Sequence, residues 1–186
     1  SDSSGAIFNV KVQQDNFLGK GNNVALEVEK SAYKKLLRYR NTNPYFTKDG
    51  VAKSTSLLFS ETDVSSTSTA SYLSDTIAYG IDYNVPISET RSYGYGAEFI
   101  LTDYTTTAGS PSNVTSFINK YGSSHFGLMI RANLIDDTRN RTVYATQGRN
   151  QSIRSSLFIK PDLDYSYASI KFTGEYNTPY NLNFLN

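Results

Sequence analysis

Few side chains in this sequence are of the kind that make or break bonds, and they do not stand in a working arrangement. His125 is the only histidine. A Ser-His-Asp triad or an imidazole metal site would need it, but it opens a strand beside a Ser-rich stretch and reads as an exposed or lumen-edge histidine. Asp136 and Asp137 are adjacent carboxylates. Consecutive residues of an extended chain point to opposite sides, so the pair shares neither a proton nor a cation and reads as a solvated turn. The absence of cysteine removes disulfides, thiolate metal sites and thiol nucleophiles. Gly94-Tyr95-Gly96 is not a phosphate loop, because no helix follows it. Tyr79, Tyr93 and Tyr95 have faces on which bases or sugars stack, yet tyrosines at alternate positions fit an aromatic girdle better. Asn113-Val114-Thr115 matches a glycosylation sequon and carries no catalytic meaning. The expectation is a non-enzyme with no cofactor and no metal.

The elements around these residues explain the pattern. From Tyr72 to Leu101 the chain makes two alternating runs joined by a polar connection, Asn84 to Glu89. Ile77, Tyr79, Ile81 and Tyr83 take every second place in the first run, with Thr76, Ala78, Gly80 and Asp82 between them. Tyr93, Tyr95, Ala97, Phe99 and Leu101 do the same in the second, against Ser92, Gly94, Gly96 and Glu98. A period of two gives each strand one apolar, aromatic face and one small or polar face. Pro86 suits the turn between them. The small, hydrophilic face matches the wet interior of a wide barrel, while a soluble sandwich is the competing arrangement.

Composition narrows the choice. A mean hydropathy of -0.44 is too polar for a bundle of spanning helices, and no run reaches the roughly 18 apolar residues that such a helix needs. Barrel strands escape that test, since only alternate residues meet lipid. The 15 tyrosines among 186 residues favour strands. A formal net charge of +1, without a block of like charge, argues against a nucleic-acid partner. Ser1 to Gly5 shows no basic or apolar leader pattern, so a targeting segment was removed or the chain starts inside a longer protein.

The alternation recurs along the chain. Gly5 to Gln13 carries Phe8, Val10 and Val12 on one face; Val24 to Lys30 carries Val24, Leu26 and Val28. After a turn at Ala32 to Lys35, Leu37 and Tyr39 continue that face. Behind them, Glu27 and Glu29 share the inner face with Arg38 and Arg40, a set suited to cross-strand ion pairs. Val51 to Glu61 follows, with Leu57 and Phe59 outward. His125 to Ile135 presents Phe126, Leu128, Ile130, Ala132 and Leu134. A further strand bears Ile153, Leu157 and Ile159, and Ser166 to Tyr176 bears Ala168, Ile170 and Phe172. Two Ser/Thr-rich stretches, Thr62 to Ser71 and Asp103 to Ser124, read as long loops alternating with short Pro- or Gly-bearing turns. About nine strands result, each near the ~9–11 residues that cross a bilayer at a tilt. The fold expected is all-β: an antiparallel up-and-down meander of a transmembrane β-barrel, with residues 1–186 as one partial barrel domain.

Three connections carry a family resemblance. Gln13 to Asn22, with Asp15, Asn16, Phe17 and Gly19, and Thr42 to Gly50, with Asn43, Pro44, Tyr45, Phe46, Asp49 and Gly50, resemble two early periplasmic turns of the BamA family. These are the central barrel subunits of the bacterial β-barrel assembly machine. Asp137-Thr138-Arg139-Asn140-Arg141, followed by Tyr144-Ala145-Thr146-Gln147-Gly148, resembles the family's turn Asp-x-Arg-Asn, aromatic-Pro-Thr-x-Gly. Ala145 stands where the family usually has Pro, and Leu134 where a Trp is common.

The resemblance implies a segment, from about the second strand to the tenth, of a barrel of about sixteen strands. That barrel folds and inserts other proteins into the outer membrane of Gram-negative cells. It implies that the POTRA domains, the first and last strands and the inward Val-Arg-Gly-Phe/Tyr loop lie outside this chain. Unfolded outer-membrane proteins and accessory lipoproteins are the partners it implies for the parent. Phe8, Val10, Leu26, Ile81, Tyr95, Phe99, Leu128, Ile130, Ile170 and Phe172 are expected to face membrane lipid, and the three turns to face the periplasm. Two open strand edges are expected to allow self-association. A passive barrel or adhesin with ligand-binding loops is the alternative, and a soluble sandwich binding module a third.

Overall fold

A computed structural model describes residues 6–63, 72–107, 109–140, 146–161 and 165–177. Its strands are β1 (Phe8–Gln14), β2 (Asn23–Lys30), β3 (Lys34–Asn43), β4 (Ala52–Asp63), β5 (Tyr72–Pro86), β6 (Arg91–Thr106), β7 (Ser124–Asp137), β8 (Gly148–Lys160) and β9 (Tyr165–Asn177). They form one sheet in sequence order, every neighbouring pair antiparallel. Apolar and aromatic residues recur at alternate places along the strands, which suits a pleated surface and sets the register. Among the described residues β1 pairs only with β2 and β9 only with β8, so the sheet is open at both edges.

The expected meander is present, and no described residue covers its apolar face. Ile77 is 50% exposed and Phe99 45%, whereas a sandwich would hide both between two sheets. The sandwich alternative therefore falls. Among the described residues the buried side chains, Leu36, Ala78, His125 and Ser152, lie on the opposite face.

The long stretch from Asp103 to Ser124 is not a plain loop. The strand β6 runs on to Thr106, and Ser112–Tyr121 forms a helix, α1. Val114, Phe117, Ile118 and Tyr121 recur at helical spacing within it, and Gly122 follows its last turn. Similarly, β5 continues through Asn84 to Pro86 before the hairpin turns, because Pro86 ends its strand rather than opening the loop. The β2–β3 turn is Ser31 to Tyr33. Of the stretch Thr62 to Ser71, residues 64–71 lie outside those described.

Candidate functional site

The outward face is built row by row by the register. One row reads Leu57, Tyr79, Phe99 and Leu128; the row beside it Phe59, Ile77, Leu101 and Phe126. Farther out, Val10 stands opposite Val28, Leu26 opposite Tyr39, and Ile153 opposite Phe172. Phe8, Val10, Leu26, Tyr95, Phe99, Ile130 and Phe172 are exposed on this face, and Ile81 and Leu128 are half-buried among their neighbours. The side chain of Ile170 lies outside the described residues.

Charge marks where the apolar belt stops. On β6 it is bounded by Arg91 at one end and Asp103 at the other, twelve residues apart. At about 3.3 Å per residue that is about 40 Å along the strand, or about 30 Å in height at a barrel tilt. A lipid-facing band is about 25 Å tall, so both charges fall just outside it. Below the middle lies an aromatic row: Tyr83 stacks on Tyr95 at 5.4 Å, Tyr95 on Tyr93 at 6.2 Å, and Phe46 meets Tyr83 edge-on at 5.9 Å. Lys53 sets its ammonium over the Phe46 ring at 4.8 Å. Tyr79 is not part of that row. It sits mid-belt between Leu57 and Phe99.

The inward face is polar at its centre. Arg131 Nη2 donates to both carboxylate oxygens of Asp82 at 3.1 Å, and its Nη1 donates to Glu98. Gly96 makes room: a Cβ there would lie 2.1 Å from Asp82 Oδ1. Of the ion pairs expected among β2 and β3, only Glu27 with Arg38 forms, at 3.1 Å. Glu29 turns to Lys34 at 3.3 Å, and Arg40 stands opposite Ala25 and Ser56 instead. The inward face also carries an apolar layer that alternation alone did not indicate. Leu58, Ala78 and Ile100 follow one another across β4–β6, and Phe158 lies on Gly127, where a Cβ would meet its ring at 2.9 Å.

One rim of the sheet gathers the three signature turns. Asn16 takes a left-handed conformation, φ 53°, and its Oδ1 accepts the Gly21 N–H at 2.7 Å. Gly19 and Gly21 also have positive φ, 71° and 75°, as such a tight path requires. Asp15 accepts from Gln13 Nε2, and Phe17 N–H donates to the Asn22 carbonyl. In the second turn Asn43 Oδ1 accepts the Tyr45 N–H at 3.0 Å, next to Pro44. Phe46 closes onto Val51 through its N–H, Asp49 stays exposed, and Gly50 (φ 80°) lies beside Pro86.

The third turn brings its five signature residues together. Asp137 receives both Nε and Nη2 of Arg139, at 2.9 and 2.7 Å. Asn140 Oδ1 accepts the N–H groups of Thr146 and Gln147, while its Nδ2 donates to Thr146 Oγ1. Gly148 (φ 98°) approaches the Thr138 carbonyl so closely that a Cβ would lie 2.2 Å from it. Arg141, Tyr144 and Ala145 lie outside the described residues. Asp136 and Asp137 do point apart, but neither is merely solvated: Asp136 pairs with Arg91 and Arg149.

At the opposite rim His125 lies on the inward face at the start of β7, as a lumen-edge position implies. It is not exposed, however, with 1% of its surface open to solvent. Phe117 of α1 packs on it at 5.3 Å and Tyr104 at 5.8 Å, and its Nε2 lies 3.1 Å from the Gly122 carbonyl. The helix thus caps the inward face of β6 and β7.

Taken together, the two faces, the bounded belt and the open edges define a class: a wall segment of a transmembrane β-barrel. The Omp85 superfamily domain matches residues 16–185, and the chain belongs to that superfamily. It is 30% identical over 123 residues to the outer membrane protein assembly factor BamA of Neisseria meningitidis serogroup B (strain ATCC BAA-335 / MC58), covering 65% of this chain and 15% of that protein. The crystal structure of BamA from Haemophilus ducreyi lacking POTRA domains 1–3 superposes with a TM-score of 0.67 at 22% identity, over 92% of this chain and 35% of that one. At that identity the second match speaks for the fold. The chain spans well under two thirds of either relative. Its setting is the outer membrane of a Gram-negative cell.

Proposed function

We infer that residues 1–186 are one partial barrel domain, a wall segment of a BamA-type factor that folds and inserts β-barrel proteins. The observation that carries this is the pairing of an open, two-faced meander with three signature turns on a single rim. In this reading Phe8, Val10, Leu26, Ile81, Tyr95, Phe99, Leu128, Ile130, Ile170 and Phe172 meet lipid. The turn rim faces the periplasm, where accessory lipoproteins dock on the full-length parent. Unfolded outer-membrane proteins are its clients. The work is not bond chemistry: in the full-length parent the barrel thins the membrane near its seam and offers a strand edge to which an incoming strand can hydrogen-bond.

The wall assignment is tested by two charges at one level. Ile81 and Ser54 lie on opposite faces, one residue apart in register. Ile81→Arg is expected to cost ~2–4 kcal/mol in denaturant unfolding from lipid, and Ser54→Arg, on the wet side, much less. Equal small effects would overturn the lipid contact. The assembly role is tested by splicing residues 16–185 into a full-length factor in place of the matching strands. Outer-membrane protein assembly in cells depleted of their own factor is expected to persist. Deleting 109–121 should leave that assembly largely intact, whereas an adhesin would lose its ligand.

A further inference from the structure

At the turn rim the outward face ends in two arginines that share one carboxylate. Asp136 lies between two guanidinium groups: Arg91 Nε donates to its Oδ1 at 3.1 Å and Arg149 Nη2 to its Oδ2 at 3.0 Å. The carboxylate is the least exposed of the three, 15% against 57% and 45% for the arginines. Both arginines are fixed through their backbones. Ser88 Oγ accepts the Arg91 N–H, and Thr138 Oγ1 accepts the Arg149 N–H while Thr138 N–H donates to the Arg149 carbonyl. A guanidinium has five N–H donors in a planar fork, and here each gives one to Asp136. Two forks are left aimed outward, held apart by a single carboxylate, with one positive charge in excess.

Directly above, on the same face, the register sets Leu134 between Tyr93 and Ile153. In the next row Ala132 stands between Tyr95 and Ser155, so two small side chains leave a shallow track. A soluble anion would gain from the charges alone. A ligand with a phosphate at one end and hydrocarbon at the other would use both features. The opposite rim lacks the paired guanidinium forks: on its outward face Lys30 and Lys35 stand beside Glu61, Asp75 and Asp103, two ammonium groups against three carboxylates.

We propose that Arg91 and Arg149, spaced by Asp136, grip the phosphate of a glycerophospholipid in the leaflet on the turn side, its acyl chains lying over Leu134 and the Ala132–Ser155 row. This rests on the reading that the outward face meets lipid. The chain is folded into vesicles of phosphatidylethanolamine with a minority of phosphatidylglycerol. It is then floated with them, extracted in mild detergent and weighed by native mass spectrometry. The wild type is expected to retain phosphatidylglycerol, and R91Q/R149Q to lose about tenfold in retention. K34Q/K35Q, which removes the same charge at the other rim, is expected to match the wild type. R91K/R149K keeps charge and ion pairs without the fork, guards against misfolding of the first variant, and should lose about threefold. Inorganic phosphate should leave the lipid bound. Equal retention in R91Q/R149Q, or displacement by inorganic phosphate, overturns the clamp while flotation leaves the wall reading standing. A wild-type chain that does not float with the vesicles overturns both.

Discussion

The two rims of the sheet are held by different physics. On the turn rim each connection is fastened by a side chain two to six residues away: Asn16 on Gly21, Asn43 on Tyr45, Asn140 on Thr146. On the other rim the largest connection is fastened by packing between elements. Phe117 of α1 lies against His125 and Tyr104, which come from two different strands. Short-range polar bonds tolerate few sequences but leave a readable signature. Side-chain packing tolerates many sequences and leaves little trace. Turns that must keep one shape are built the first way, and a cap resting over the inward face the second.

The sharpest way to break this contrast is through two glycines that both have positive φ. Gly148 on the turn rim has φ 98° and no space for a Cβ, while Gly122 at the end of α1 has φ 88° and nothing within 4 Å. Gly148→Val is expected to cost about 3 kcal/mol, from the left-handed backbone and the clash with Thr138 together. Gly122→Ala should cost less, about 1–2 kcal/mol, from backbone conformation alone, since φ 88° with ψ 174° is a conformation that glycine almost alone adopts. Denaturant unfolding in detergent micelles checks both, and equal costs would erase the distinction. Next in size, Asn140→Ala leaves the Thr146 and Gln147 N–H groups without their acceptor. A loss of about 1–2 kcal/mol is expected, with faster amide exchange confined to 146–148. Phe117→Ala should act the other way, freeing α1 with under about 1 kcal/mol of global cost because the helix holds no fully buried residue. A shift of the His125 ring resonances with an unchanged unfolding midpoint would show it. Smallest of all, Lys35→Gln, which breaks the exposed pair with Glu61 at 2.7 Å, should leave the midpoint where it was.

Much of the wall is legible in the amino-acid order. Alternation assigned Leu26, Tyr79, Phe99 and Ile130 to one face, because a strand offers a side chain only two sides. The signature turns were legible for a similar reason: Gly19, Gly50 and Gly148 sit where φ is positive, and glycine adopts that conformation without strain. Helix α1 went unread although Val114, Phe117, Ile118 and Tyr121 are spaced for it, since the Ser and Thr around them favour loops as readily. Burial of His125 could not be read at all. It depends on a helix folding back over the strand that His125 opens.

Ion pairing shows the same division. Glu27 and Arg38 are opposite one another in register and pair as alternation suggests. Glu29 lies opposite Leu36 and reaches Lys34 instead, because charged side chains choose partners by reach and direction as well as by face.

From the amino-acid order alone follow the faces, the parity of the connections and the shape of the turns, since each depends on contacts between near neighbours or on a residue's own backbone freedom. Only the folded sheet determined that Arg131 would be held by Asp82 and Glu98, that Asp136 would separate Arg91 from Arg149, and that α1 would close over His125. Those partners are brought together by the register of four adjacent strands and by a helix packed across them. Such distances in space are set by every hydrogen bond of the ladder at once, not by any local run of residues.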